Sequence, residues 1–150
     1  MDSLRIDNGL KKIDVNDAGE YIEFSIFDSS FFRAFFDLLR WFDEQENRKE
    51  IKEMDEQGDK VVSEDGTEIN YDAANNVLDI RDKISKEACE KIDNIFGAEA
   101  SRKIFGNIIP DMYMIADFFE KISPLIEKYR KERSQTINKK YSKSRKGAKS

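Results

Sequence analysis

The triplet Ile-Phe-Gly occurs twice within twelve residues, first as Ile95–Gly97 and again as Ile104–Gly106. In both places it closes an apolar helical pattern with a glycine, which reaches the left-handed conformation of a helix cap without steric cost. The repeat therefore predicts two consecutive helix ends, each with a large aromatic side chain beside its cap. Together they would form a tight corner between the helix before them and the helix after them.

Apolar residues recur at spacings of three and four on both sides of this corner. Before it they are Val77, Ile80, Ile84, Ala88, Ile92 and Ile95; after it they are Met112, Ile115, Phe118, Phe119, Ile122, Leu125, Ile126 and Tyr129. This spacing predicts a long helix capped by Asp72, a short helix over 98–105 and a third long helix with Pro110 in its first turn. Pro124 removes a hydrogen bond to the Glu120 carbonyl, so we expect a bend there.

Residues 1–27 show the period of two that is typical of strands. The candidate strands are Leu4–Ile6, Leu10–Val15 and Glu20–Ile26, with turn sequences at Asn8-Gly9 and Asn16–Gly19. The last strand alternates most regularly, and Asn-Gly is a strong hairpin-turn signal. We therefore predict a small antiparallel β meander at the N-terminus.

A helix is expected over residues 28–56, because Asp28, Ser29 and Ser30 are good N-cap residues. Its apolar face spans an arc of about 160° and leaves Trp41 outside. The face consists of Phe31, Phe32, Phe35, Phe36, Leu38, Leu39 and Phe42. Two interpretations stay open: the face is the core of a small domain, or part of it is a docking or self-association surface.

The remaining segments complete a mainly α fold. From residue 43 the helix becomes a charged, solvated one, and residues 57–71, with Asp65-Gly66, predict a loop or loose hairpin. We expect one α-rich domain over 1–133 that contains the β meander, three long helices and one short helix. Within it, the part from 72 to 133 is expected to be helical. Residues 134–150 are expected to be a basic, disordered or frayed tail.

Charge is distributed unevenly along the 150 residues. Residues 128–150 carry ten basic residues and one acidic residue, a net charge of +9, whereas residues 1–127 carry −14. An acidic body joined to a basic tail can attract itself, another copy or an oppositely charged partner.

Several function classes have no support in the residues. The chain has no histidine and one cysteine, Cys89, so the commonest general base and metal ligand are missing and no intrachain disulfide can form. No metal-binding or phosphate-loop pattern occurs. The N-terminus lacks the apolar region of a signal peptide, and no apolar run approaches the length of a membrane span. We expect a cytosolic protein that is not an enzyme, needs no cofactor and does not enter a membrane.

The basic tail has the plainest binding interpretation. Its candidate contact residues are Lys139, Lys140, Lys143, Arg145 and Lys146. These could bind nucleic-acid phosphate or an acidic protein surface. Tyr141 is the single aromatic residue there that could stack on a base, and the acidic body would repel a nucleic-acid backbone, so both features argue against nucleic acid.

The order of features from Cys89 to Tyr141 resembles the tail assembly chaperones of long-tailed phages and prophages of Gram-positive bacteria. The features are Cys89, the two Ile-Phe-Gly triplets, an apolar helix, the stretch Ile126–Arg133, then Lys139-Lys140-Tyr141 and a basic end. The similarity is best over residues 72–145. Similar proteins often have a glycine shortly after the first Phe-Gly, where this chain has Ala98-Glu99-Ala100.

The resemblance implies a non-enzymatic role. Such chaperones coat the aggregation-prone tape measure protein during tail assembly in the host cytoplasm, and they are absent from the mature virion. It implies the tape measure protein as partner and favours a homo-oligomer. The expected partner-binding residues are Phe31, Phe32, Phe35, Phe36, Leu39, Trp41, Phe118 and Phe119. The alternative is a phage regulatory or anti-defence protein that binds a host protein or nucleic acid through its basic tail.

Overall fold

The computed structural model describes the backbone of residues 1–149 and the side chains of residues 1–142. The fold is mainly α-helical, with a small antiparallel sheet before the helices, as predicted. The elements are β1 (Leu10–Asp14), β2 (Tyr21–Ser25), α1 (Ser29–Glu44), a 3₁₀ turn (Gln45–Asn47), α2 (Lys49–Gly58), α3 (Tyr71–Phe96), α4 (Ala100–Phe105) and α5 (Met112–Lys149).

The sheet is a single hairpin in which Leu10 pairs with Ser25 and Asp14 with Tyr21. Its turn is the predicted Asn16–Gly19 segment, where the Asn16 side-chain oxygen accepts hydrogen bonds from two backbone N–H groups, at 3.0 and 3.2 Å. The predicted strand at Leu4–Ile6 and its turn at Asn8-Gly9 are wrong.

The reason for that error lies at Gly9. Its carbonyl accepts a hydrogen bond from the Ile26 N–H at 3.0 Å, so the chain runs on beside β2 and does not reverse. A Cβ added at Gly9 would lie 2.7 Å from the Phe27 ring. Glycine is therefore required there for close packing and a positive φ of 67°, not for a hairpin turn.

The helix predicted over 28–56 is two helices. Asp28 caps α1 as expected, with its carboxylate accepting from the Ser30 N–H at 3.0 Å. The chain leaves helical geometry at Arg48, whose ψ is 139°. The guanidinium of Arg48 binds both carboxylate oxygens of Glu87 on α3, at 2.7 and 3.2 Å, and this tie turns α2 back along α3.

The segment between α2 and α3 is the loose hairpin that the sequence predicts. Val62 and Ile69 form one antiparallel bridge, and the Asn70 N–H donates to the Val61 carbonyl at 2.7 Å. The cap of α3 is Asn70, which accepts from the Ala73 N–H at 3.1 Å, so the prediction of Asp72 was two residues late.

Both Ile-Phe-Gly triplets end helices, as predicted, but not in left-handed helix caps. Gly97 has φ 110° and ψ 159°, and Gly106 has φ 85° and ψ −170°. This extended conformation with positive φ is essentially restricted to glycine. The left-handed residue of the corner is Glu99, with φ 70° and ψ 4°, and α4 consequently begins at Ala100 and not at Ala98.

Helix α5 begins later and runs farther than predicted. Asp111 accepts from the Tyr113 N–H at 2.8 Å, so Pro110 precedes the helix and does not lie in its first turn. Pro124 lies inside the helix. The stretch predicted as a disordered or frayed tail continues α5 as far as Lys149. Its many Lys and Arg residues are good helix formers, and the stretch has no glycine or proline before Gly147.

Phe96, from the first triplet, lies at the centre of the core. Its ring centroid lies 5.6–6.3 Å from four other phenylalanine rings, all of them edge to face. These rings belong to Phe24, Phe31, Phe35 and Phe118. The core thus joins β2, α1, α3 and α5 in one aromatic cluster.

Candidate functional site

An open apolar groove of about 370 Å³ runs between β1, α4 and the first half of α5. Its apolar lining consists of Ile13, Val15, Ile104, Phe105, Tyr113, Met114, Phe118, Ile122 and Leu125. Charged residues stand only at its rim, namely Asp14, Asp117 and Lys121. A groove of this kind accepts the apolar face of an amphipathic segment, whose polar face would meet the charged rim.

Two contacts hold the walls of the groove together. The Asn16 side-chain amide donates to the Lys103 carbonyl at 3.0 Å, which ties the hairpin turn to α4. The Arg102 guanidinium binds Glu20 at 2.8 Å and also Glu99 at 2.6 Å. Because the hydrogen bond from Arg102 favours the ionised carboxylate, the pKa of Glu20 is lowered. The hairpin and α4 therefore form one unit beside α5.

At the rim, the Lys121 ammonium lies 2.9 Å from the Asp117 carboxylate, one turn away along α5. This hydrogen bond raises the pKa of Lys121, which keeps the ammonium charged. Tyr113 projects beside this pair with 77% of its surface exposed. The rim therefore offers one positive charge, two negative charges and an accessible aromatic ring to any segment in the groove.

The structure separates the predicted partner-binding residues into three groups. Phe31, Phe35, Phe118 and Phe119 are buried in the core, and of these Phe118 also lines the floor of the groove. Phe32, Leu39 and Trp41 pack partly buried against the core. Phe36 alone is exposed, with 48% of its surface accessible. Most of the apolar face of α1 thus serves as core.

Of the basic residues predicted to form contacts in the last part of α5, two have side chains that the structure describes. Lys139 and Lys140 are exposed on the helix. The side chains of Lys143, Arg145 and Lys146 lie outside the described residues. Tyr141 is exposed beside the two described lysines.

Cys89 is half-buried on α3, and burial raises the pKa of its thiol. A thiol with a raised pKa is a poor nucleophile at neutral pH. Within residues 1–142, no group of three or more acidic or cysteine side chains is placed to hold a metal ion. No stretch of helix in the described part of the chain combines the length and the apolar character that crossing a membrane requires.

A known protein family matches most of the chain. The family described as "Family of unknown function (DUF6673)" matches residues 18–150. The chain belongs to this family. No curated protein and no solved structure matches this DUF6673 member.

The groove of this DUF6673 member was missed by reasoning from the sequence. Its residues come from three distant segments, around Ile13, Ile104 and Leu125, and no local pattern connects them. One signal was present, because the second Ile-Phe-Gly triplet places an apolar pair on a helix of only six residues, too short to bury both. The stripe of α5 was recognised, but the part that faces the groove was not distinguished from the part that faces the core.

Proposed function

We propose that this protein is a tail assembly chaperone that binds the tape measure protein and keeps it soluble during phage tail morphogenesis. Binding takes place in the bacterial host cytoplasm and involves no catalysis, and the protein is not part of the mature virion. The sequence resemblance from Cys89 to Tyr141 suggests the role, and the apolar groove between β1, α4 and α5 is the observation that carries it.

The shape and lining of the groove suit an amphipathic helix as the client. Apolar side chains at spacings of three and four would enter the groove beside Phe105, Phe118 and Leu125. The polar face would remain at the rim, near Asp117 and Lys121, where water still reaches the charges. A partly open groove of this size favours reversible binding, which a chaperone displaced during assembly requires.

Tyr113 and Tyr71 provide a matched pair of variants. Both are exposed tyrosines near the start of a helix, at 77% and 72%, but only Tyr113 lines the groove. Tyr113→Asp should lower the affinity for an apolar helical fragment of the tape measure protein by about tenfold or more, since it places a charge at the edge of the apolar surface. Tyr71→Asp should bind as the unaltered protein does.

The measurement is the dissociation constant by titration calorimetry, together with the soluble fraction of the fragment when the two are co-expressed. Circular dichroism of both variants checks that the fold is retained. A tape measure fragment that is fully soluble alone, or equal binding by both variants, would count against the proposal. A gene position directly before a very long tape measure gene would support it.

The exposed Lys139, Lys140 and Tyr141 favour the alternative of a regulatory or anti-defence protein that binds nucleic acid or a host protein. In that case binding to DNA would weaken steeply with salt and disappear on deletion of residues 134–150. Groove variants would leave such binding unchanged, which separates the two functions.

A further inference from the structure

In the described part of α5 beyond Arg133, as far as Ser142, no side chain forms an ion pair with the body of the molecule. The final described link to the body is the ion pair of Lys11 with Glu132, at 2.7 Å. Beyond Arg133, every described residue as far as Ser142 is exposed except Ile137, which is partly buried. Residues 130–149 would extend about 30 Å as a helix. An isolated helix of this length is marginal in water, so a binding partner would stabilise it.

The chain carries a matching acidic element, which we call the acidic hairpin. It comprises residues 49–72, that is α2, the loop after it and the first residues of α3. It contains nine acidic and three basic residues, a net charge of −6, against +9 for residues 128–150. Among the side chains that the structure describes, Glu50 is the one acid of this hairpin that forms an ion pair, with Arg48 and Lys83.

The two charged elements lie at opposite ends of the molecule. Arg81 on α3 lies 3.3 Å from Asp111, so the start of α5 is beside the middle of α3. The Phe24 ring contacts both Phe96 and Tyr129, at 6.2 and 5.9 Å, so both helices run toward the sheet in the same general direction. Helix α5 therefore continues past the end of α3, whereas the acidic hairpin lies at its start.

A single molecule with this arrangement cannot bring its basic end to its own acidic hairpin. No ion pair among residues 1–142 joins the two elements. We propose that the basic end of α5, from residue 130 onward, binds the acidic hairpin of a second copy. This contact is head to tail, so each added copy presents a new basic end and a new acidic hairpin.

Apolar side chains accompany the charges on both surfaces. Val62, Ile69 and Tyr71 are exposed on the acidic hairpin, and Tyr141 is exposed on α5. Their contact would add to affinity at a surface where charge alone gives little, since exposed ion pairs are weak and screened by salt. The interaction is accordingly expected to be modest, reversible and dependent on salt.

The test measures the mass of the full chain by sedimentation velocity and light scattering at about 20 mM and about 500 mM NaCl. At low salt the average mass should rise with protein concentration above the 17.5 kDa of one chain, and at high salt it should return to that value. A chain that stays single at low salt, or an association that salt does not weaken, would overturn the proposal.

Two charge-reversal variants locate the contact. Lys139→Glu with Lys140→Glu lowers the net charge of residues 128–150 from +9 to +5, and Glu53→Lys with Glu56→Lys changes that of the acidic hairpin from −6 to −2. All four residues are exposed. Each double variant alone should weaken association by about tenfold or more, because the attraction between the two elements falls and like charges meet at the altered positions. An equimolar mixture of the two should associate again, since the unaltered basic end of one variant can meet the unaltered acidic hairpin of the other.

A control pair reverses two exposed acids outside the hairpin, Glu23→Lys and Glu90→Lys, and should associate as the unaltered chain does. If the mixture of the two double variants stays single, the acidic hairpin is not the partner and the proposal fails. Equally, a chain that is single at low salt but binds duplex DNA through Lys139 and Lys140 would assign this helix to nucleic acid.

Discussion

The two Ile-Phe-Gly triplets share a backbone conformation but differ in what their side chains do. Gly97 and Gly106 both have positive φ with extended ψ, and each ends its helix. Yet Phe96 is buried among four phenylalanine rings, whereas Phe105 is half-buried, lies 6.0 Å from the ring of Phe118 and lines the groove. A local repeat therefore sets where the helices end, while position in the fold assigns one aromatic to the core and the other to a surface.

The largest expected effect separates the two phenylalanines. Phe96→Ala should lower the free energy of unfolding by about 3–5 kcal/mol, because it removes the ring at the centre of the core. Phe105→Ala should cost only about 1–2 kcal/mol, since that ring is half-buried. Urea denaturation followed by circular dichroism measures both. The exposed Phe36→Ala serves as the control with little change, and equal losses at 96 and 105 would refute the assignment.

The two glycines should, in contrast, behave alike. Gly97→Ala and Gly106→Ala should each cost about 1–3 kcal/mol, because a Cβ strains the positive-φ extended backbone although nothing lies within 4 Å of it. Gly58→Ala, at a helical glycine with open space around it, is the control and should not destabilise. Costs at 97 and 106 that differ by more than about 1 kcal/mol would show that the corners are not equivalent in backbone strain.

A smaller effect is expected at Glu99, where the corners differ in backbone. Glu99 has a positive φ of 70°, and no non-glycine residue after Gly106 shares that conformation among the described residues. Glu99→Gly should raise the free energy of unfolding by about 0.5 kcal/mol, since relief of strain exceeds the loss of a surface ion pair with Arg102. Thermal unfolding of Glu99→Gly beside Glu99→Ala, which loses the ion pair and keeps the strain, would measure this. A Glu99→Gly protein less stable than Glu99→Ala would contradict the prediction.

The smallest expected effect is on the pH dependence of stability, through the ion pair of Arg102 on α4 with Glu20 beside the sheet. Arg102 lowers the pKa of Glu20 below its ordinary 4.5, so the folded state binds this proton less readily than the unfolded state. The stability that this carboxylate contributes is present above about pH 4.5 and is lost as the pH falls through the lower, folded pKa.

The measurement is the urea midpoint of unfolding between about pH 6 and about pH 3. Arg102→Gln should show a slightly shallower fall on acidification than the unaltered chain, whereas Lys86→Gln, an exposed control, should not. Identical pH profiles for the Arg102 variant and the unaltered chain would mean that the ion pair between Arg102 and Glu20 does not contribute to stability. The aromatic rings that surround Phe96 carry no titrating group, so their packing should not respond to pH.

Most helix positions and the cap of α1 could be predicted from the residues, and the errors have identifiable causes. Asp28 and the glycines of the corner act on backbone within a few residues, so their effects were visible locally. Asn8-Gly9 was misread because the deciding contact, with Ile26 and Phe27, comes from seventeen or more residues away. The break at Arg48 depends on Glu87, which lies in another helix.

The candidate site was less predictable than the fold. Phe118 was expected to contact a partner and does line the groove, but mainly as a buried residue at its floor. The face of α1 became core because β2, α3 and α5 close over it, which no pattern within α1 can show. The acidic body and the basic tail were visible in the chain, but the separation in space between the acidic hairpin and the basic end of α5 was not.

The residues alone determined a mainly helical chain, the two stops at Gly97 and Gly106, the first helix cap and the acidic and basic stretches. These features follow from backbone preference, capping and charge, which act locally or are simple sums. Tertiary structure decided which phenylalanines are hidden, where α1 breaks, and that Ile13, Phe105 and Leu125 meet in one groove. Burial and long-range pairing depend on segments far apart in the chain, so they appear only once the whole molecule has packed.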